Sequence, residues 1–296
     1  MSDHDRHSSF VDYFNEYTGK RRKSNADEYQ MSVRYFIAFA GHGRSFLDID
    51  DFFCEDYKKF LLSGPALSKR KKKITTNTAV SYFAKFRSCL RQAYKQGLLT
   101  TDLFSRVDAI KPRETHREQL EIEEFQLLAN TPIKSQVVKR AAIFSGLTGL
   151  RFSDVRALRW SEVRGTAGKF YLQFIQEKTA DAETLPISDQ AVEILGKRGL
   201  PGDKVFKGFS YSGMRTSIAH WLNDAGIEKN ITFHSFRHTF ATLQLEFGTE
   251  IYTVSKMLGH RSIKTTQIYA KVKDKKKFEA ANKIKLDMNW MSEVTS

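Results

Sequence analysis

Cysteine is scarce in this chain: of 296 residues only Cys54 and Cys89 carry a thiol. Two cysteines so placed build no disulfide framework and match no zinc-ligand spacing, so a reducing cytoplasm is the expected compartment. Long apolar runs are missing too, and the polar N-terminus holds no signal-peptide core. Neither a membrane span nor a secretory leader is expected. A Walker-type phosphate loop is absent, because Gly41-His42-Gly43-Arg44-Ser45 lacks the lysine and the spacing and reads as a turn. No acidic metal cluster is evident. His234 and His238 stand four apart, but Ser235 occupies the position where a metalloprotease needs glutamate. Neither a metal nor any other cofactor is therefore expected. No internal repeat and no low-complexity tract occurs.

Positive charge is what the chain has in excess. Lysine and arginine total 48 against 34 acidic residues, a net charge of +14 and a pI near 9.6. The excess is even: residues 1–118 and 119–296 each carry a net +7. Two basic halves suit a clamp closing on a polyanion, and the length allows two separate cores.

Apolar spacing predicts helices over Ser9–Tyr17, Asp27–Ala40, Asp50–Leu62 and Asn77–Gln96. The last is best marked, with Val80, Phe83, Phe86, Leu90, Ala93 and Tyr94 at helical spacing and Gly97 as its stop. Two basic runs flank these helices: Lys20, Arg21, Arg22 and Lys23, then Lys69, Arg70, Lys71, Lys72 and Lys73. A charge run is usually a solvated loop; in so basic a chain these are candidate phosphate contacts. The polar, proline-bearing stretch 111–118 reads as a linker between a helical domain (1–110) and a second domain (119–296).

In the second domain helices are expected at Glu121–Ala129, Ser135–Leu147, Ser153–Leu158, Asp189–Lys197, Tyr211–Ala225, Phe236–Phe247 and Ile251–Leu258. Lys169–Gln176 reads as a strand, with Thr184–Ile187 as its hairpin partner. The expected fold class is mainly α with a small antiparallel β-hairpin in the C-terminal domain. Within 36 residues that domain places His234, Arg237, His260 and Tyr269. His234 and Arg237, three apart, would share a helix face. Gly259 ends a helix just before His260, and Ser262 is expected to cap a helix carrying Tyr269. Cationic or proton-transferring groups beside a hydroxyl nucleophile are what attack on a phosphodiester needs.

These residues resemble the second signature box of the tyrosine recombinases, the phage integrase family: His-x-x-Arg, Gly-His, and a tyrosine nine residues on (269 − 260). The first box is matched by Thr148-Gly149-Leu150-Arg151, with Asp154 three positions later. The family's hairpin lysine is matched by Lys178, although Lys169 lies on the same expected hairpin. The N-terminal helices resemble the family's core-binding domain. Taken singly, Arg151 could simply pair with Asp154, and Tyr269, one of 11 tyrosines, could simply pack. The resemblance, which spans about Leu120–Trp290, implies otherwise.

It implies that Tyr269 attacks the phosphate, with His234 as proton acceptor. Arg151 and Arg237 then clamp the non-bridging oxygens, which a planar, permanently charged guanidinium suits. His260 adds a donor and Lys178 protonates the departing 5′ oxygen. A 3′-phosphotyrosyl link results, without metal or ATP. The implied function is site-specific recombination or integration on double-stranded DNA through a Holliday junction, in a cytoplasmic, nucleoid-associated setting. The implied assembly is a homotetramer joined through the C-terminal segment 278–290, with accessory DNA-bending proteins as possible partners. The first expected helix starts at Ser9, so the arm-binding domain of many integrases is expected to be missing or to have been removed, and His238 is read as structural or DNA-facing. Rival readings are a type IB topoisomerase, a catalytically inactive DNA-binding protein and a phosphodiester hydrolase.

Overall fold

Three helices of the N-terminal half begin by the same chemistry, a short polar side chain accepting a backbone N–H left over in the first turn. Asp12 N–H donates to Ser9 Oγ at 3.2 Å, Phe53 N–H to Asp50 Oδ1 at 2.7 Å, and Thr78 N–H to Thr75 Oγ1 at 3.2 Å. In this computed structural model, which describes residues 9–20, 26–67, 72–113, 118–176 and 182–270, those caps start α1 (Phe10–Gly19), α3 (Asp51–Leu62) and α4 (Thr76–Lys95). Between the first two lies α2 (Ala26–Ala40). The chain divides into two compact units, Met1–Thr115 and His116–Ser296.

The first unit closes around aromatic rings. Phe10, Phe14, Phe36, Tyr57, Phe83 and Phe86 are all fully buried. Phe86 stacks on Phe36 with centroids 5.4 Å apart and meets Tyr57 edge-on at 5.0 Å. Truncating a buried ring of this kind costs about 3–5 kcal/mol, so the rings dominate the stability of this small unit. Cys54 and Cys89 are free and buried, and burial pushes the Cys54 thiol up to about 12. The single-turn α5 (Leu103–Arg106) was not expected, since four residues carry no apolar period. Asp102 makes it, accepting from Ser105 N–H.

The second unit packs helices about a central pair, α7 (Gln136–Thr148) and α11 (Phe233–Glu246), with α6 (Ile122–Asn130) and α10 (Met214–Asp224) alongside. Phe144, Trp221 and Phe236 are fully buried between them, Trp221 stacked on Phe236. A capping box starts α6, Glu121 N–H donating to Glu124 at 2.8 Å. After α7 come α8 (Phe152–Ala157) and an antiparallel sheet of order β1 (Val163–Arg164), β2 (Tyr171–Ile175), β3 (Ala182–Pro186). Tyr171 lies opposite Pro186 and Ile175 opposite Ala182. Leu172, Phe174 and Leu185 face inward, while Gln173 and Ile175 face out. Strand β1, only two residues long, had no sequence signal. Lys169, expected to open β2, instead lies in the turn before it, its N–H on Thr166 O. The remaining helices are α9 (Asp189–Leu195), α12 (Ile251–Met257) and α13 (Lys264–Gln267). Among the described residues no helix is long and apolar enough to cross a membrane.

Candidate active site

The site begins where α7 stops. Gly149 takes φ 73°, a left-handed turn that glycine adopts without strain. A Cβ there would lie 2.6 Å from Phe240 and 2.8 Å from Leu258, so the close approach also demands glycine. This turn delivers Arg151 to the N-cap position of α8. Arg151 Nη1 donates to Gln176 Oε1 at 2.7 Å, and Nη2 reaches Gly259 O at 3.5 Å. Asp154 lies 3.8 Å away with its carboxylate buried. Asp154 thus balances the charge at ion-pair distance, while the short hydrogen bond comes from Gln176.

Arg237 is 3 % exposed on α11, and a buried charge must be partnered. Its Nη1 donates to Gly149 O and its Nη2 to Leu258 O, both at 2.6 Å. These carbonyls cap the C-termini of α7 and α12, where helix dipoles concentrate partial negative charge. The guanidinium is therefore held largely by dipoles, which leaves its full charge for an anion. Burial, then the nearby Arg151 charge, pulls its pKa down to about 10, so it remains cationic at neutral pH.

His260 follows Gly259, whose φ is 59° and whose missing Cβ would lie 2.2 Å from the Gln176 amide nitrogen. Its Nε2 lies 3.1 Å from Arg237 Nη2 and its Nδ1 2.8 Å from Thr266 Oγ1. Burial, then Arg237 and Arg151, hold its pKa at about 4 rather than 6.5. The unfolded ring takes up a proton near 6.5 and the folded ring only near 4, so falling pH favours the unfolded chain across that window. The His260 contribution is fully present above pH 6.5 and is lost as pH falls towards 4. The urea midpoint should drop over this interval, and less steeply in His260→Asn. Equal slopes for the two proteins would show the ring is unperturbed.

Thr232 starts α11 by a capping box with Ser235, placing His234 in the first turn. His234 and Arg237, three apart on this helix, differ in depth: His234 is exposed and Arg237 buried. His238, itself 3 % exposed, stands between two rings. It meets His234 edge-on with centroids 4.5 Å apart and Tyr269 at 5.1 Å. Tyr269 packs beside Phe240, Ala241, Val254 and Leu258. Ser262 caps nothing with its side chain. The N-cap of α13 is Ile263, and Tyr269 follows that single turn with its N–H on Thr266 O at 3.0 Å.

Arg151, Arg237 and His260 thus converge, and His234 and Tyr269 join them through His238. Lys178 lies outside the described residues, as do Arg21, Arg22, Lys23, Lys69, Arg70, Lys71 and the segment 278–290. In sequence Lys178 falls between the paired strand ends Ile175 and Ala182, beside Gln176. Lys169 lies beyond the opposite end of that hairpin, two residues before β2 begins. Lys20 pairs with Glu16 at 2.6 Å on the open surface, and Lys72 and Lys73 are exposed. Gln176 and Thr266 are site residues that composition and spacing did not reveal.

This geometry gathers arginines and histidines beside a tyrosine, on a helical two-unit chain, and planar guanidinium groups suit a phosphate. A profile of the phage integrase family matches residues 118–276, and one of the phage integrase SAM-like domain matches 9–111. The chain belongs to the phage integrase family, and it is a tyrosine-type site-specific recombinase that cuts and rejoins DNA. It is 24% identical over 288 residues to a tyrosine recombinase of Thermosipho africanus, covering 93% of this chain and 99% of that protein. To tyrosine recombinase XerD of Listeria innocua it is 25% identical over 264 residues, covering 82% and 86%. Its fold is similar to that of a lambda integrase tetramer bound to a Holliday junction. The TM-score is 0.68 at 18% identity, with 90% of this chain and 78% of that one covered.

Proposed function

We propose that Tyr269 attacks the scissile phosphodiester of double-stranded DNA, forming a 3′-phosphotyrosyl bond and releasing a 5′ hydroxyl. His234 accepts the phenol proton and, being exposed at the first turn of α11, passes it to water. Arg151 and Arg237 bind the non-bridging oxygens, and His260 donates to the same phosphate. Lys178 protonates the departing 5′ oxygen. Attack by the 5′ hydroxyl of another strand then reverses the step, so paired exchanges pass through a Holliday junction. What carries this reading is the convergence of two arginines and His260 beside a tyrosine: Arg237 Nη2 is 3.1 Å from His260 Nε2, and Arg151 lies close enough to lower the pKa of both.

The partner is a DNA duplex, with the runs Lys20–Lys23 and Lys69–Lys73 as phosphate contacts and residues 111–118 linking the two domains. Segment 278–290 joins copies into a tetramer, the state in which the similar lambda integrase was seen on a Holliday junction. Action on DNA in the cytoplasm, at the nucleoid, follows from this reading.

The test is covalent capture. A library of nicked duplexes of randomised sequence, in which cleavage releases a short fragment, is incubated with the protein, and adducts are recovered and sequenced. An enriched site is expected. Capture should persist in excess EDTA, because cationic side chains rather than a divalent ion meet the phosphate. Loss on chelation with recovery in magnesium, or no adduct from any duplex, would overturn the reading.

A further inference from the structure

Helix α13 is a single turn whose Lys264, Thr265 and Gln267 are exposed, yet Thr266 is completely buried. A buried hydroxyl is kept where it has a partner. Thr266 serves two partners, both in the site. Its Oγ1 lies 2.8 Å from His260 Nδ1, and its carbonyl accepts from Tyr269 N–H at 3.0 Å. We propose that Thr266 is a positioning residue of the cleavage reaction. Its hydroxyl holds the His260 ring with Nε2 at the phosphate, and its carbonyl ties the same point to the turn that carries the nucleophile. The proposal rests on the assignment of His260 and Tyr269 above.

The proton positions follow from the partners. A guanidinium has only donors, so His260 Nε2, 3.1 Å from Arg237 Nη2, accepts. The neutral ring therefore carries its proton on Nδ1 and gives it to Thr266 Oγ1. To serve a phosphate oxygen, the ring must donate from Nε2 instead. A carbonyl or carboxylate at the Thr266 position would fix the proton on Nδ1. A hydroxyl does not, because it accepts from Nδ1–H when the ring is neutral in the free protein or doubly protonated. It also donates to a bare Nδ1 when the single proton sits on Nε2. One side chain thus supports the ring before and after the phosphate arrives. The groups facing the ring, Arg237 and His234 from α11 and Arg151 from the start of α8, include no carboxylate that could do this.

Thr266→Val keeps the shape and removes the hydroxyl, whereas Thr266→Ser keeps the hydroxyl. On a captured nicked duplex, Thr266→Val should lower the single-turnover cleavage rate by about 10- to 100-fold, the scale on which a partner of a functional imidazole acts. Thr266→Ser should stay within about threefold of the parent, and DNA affinity should hold in both. Nitrogen NMR of the histidine-labelled free protein at neutral pH should show His260 protonated on Nδ1, donating to Thr266 Oγ1. A valine variant at the parent rate, a serine variant as slow as valine, or a parent ring protonated on Nε2 would each overturn the proposal. If Thr266→Val fails to fold, the serine variant and the parent spectrum decide it. Adducts that survive Tyr269→Phe would instead sink the assignment of the nucleophile, an outcome the His260 spectrum does not depend on.

Discussion

Tyr269→Phe is expected to abolish covalent attachment to DNA while leaving binding nearly intact. Only an oxygen is removed. The ring's packing against Phe240, Ala241, Val254 and Leu258 remains, and so does its contact with His238, 5.1 Å between centroids. The Thr266 carbonyl still receives the residue's N–H, because that bond is backbone to backbone. Melting temperature should therefore move little. The arginine cradle keeps its hydrogen bonds to Gln176, Gly149, Leu258 and Gly259 in the variant. DNA affinity, measured on the captured duplex, should stay within a few-fold of the parent. The adduct band should vanish, since no neighbouring hydroxyl substitutes for a positioned nucleophile. A phenylalanine variant that still forms adducts, or an adduct mapped to another tyrosine, would show that the nucleophile lies elsewhere.

The parts of this site that rest on local pattern were legible in the sequence. Gly97 and Gly259 read as helix stops, and both take positive φ. Helix α4 was readable because its seven buried residues recur at helical spacing and Gly97 ends it. Failures came where partners lie far apart along the chain. Spacing put His234 and Arg237 at neighbouring positions of one helix face, but it could not say how differently the two would be buried. The core takes Arg237 inward to two helix C-termini and leaves His234 at the surface. Ser262 had the right chemistry for a cap, yet the N-cap of α13 falls one residue later, at Ile263, which has no side-chain group to cap with. Gln176 and Thr266 are ordinary residue types with no motif value in isolation. Gln176 matters because the hairpin brings it to Arg151, 25 positions away. Thr266 matters because a single helical turn folds it under His260.

Removing either arginine should slow cleavage in a way that no better leaving group repairs, whereas removing Lys178 should be repairable. Arg151→Ala or Arg237→Ala each takes a charged donor from the phosphate, so the rate should fall by at least about 10² to 10³-fold. Arg237→Ala carries a second cost, because it leaves the Gly149 and Leu258 carbonyls without their donor in a buried place. Its melting temperature must be followed, and Arg237→Lys serves beside it, keeping the charge but losing the fork. Lys178 has a different task, protonation of the 5′ oxygen. Sulfur in place of that bridging oxygen leaves with little proton assistance. Lys178→Ala should regain most of its rate on the sulfur substrate, while the arginine variants stay slow on it. The register of the hairpin favours Lys178 over Lys169. Strand end Ile175 pairs with Ala182 and the next residue, Gln176, lies against Gly259, so the site is at the strand end nearer to Lys178 in sequence, whereas Lys169 sits beyond the far end. Rescue of Lys169→Ala but not of Lys178→Ala would reverse that assignment. Rescue of neither would mean that the leaving oxygen takes its proton from another group.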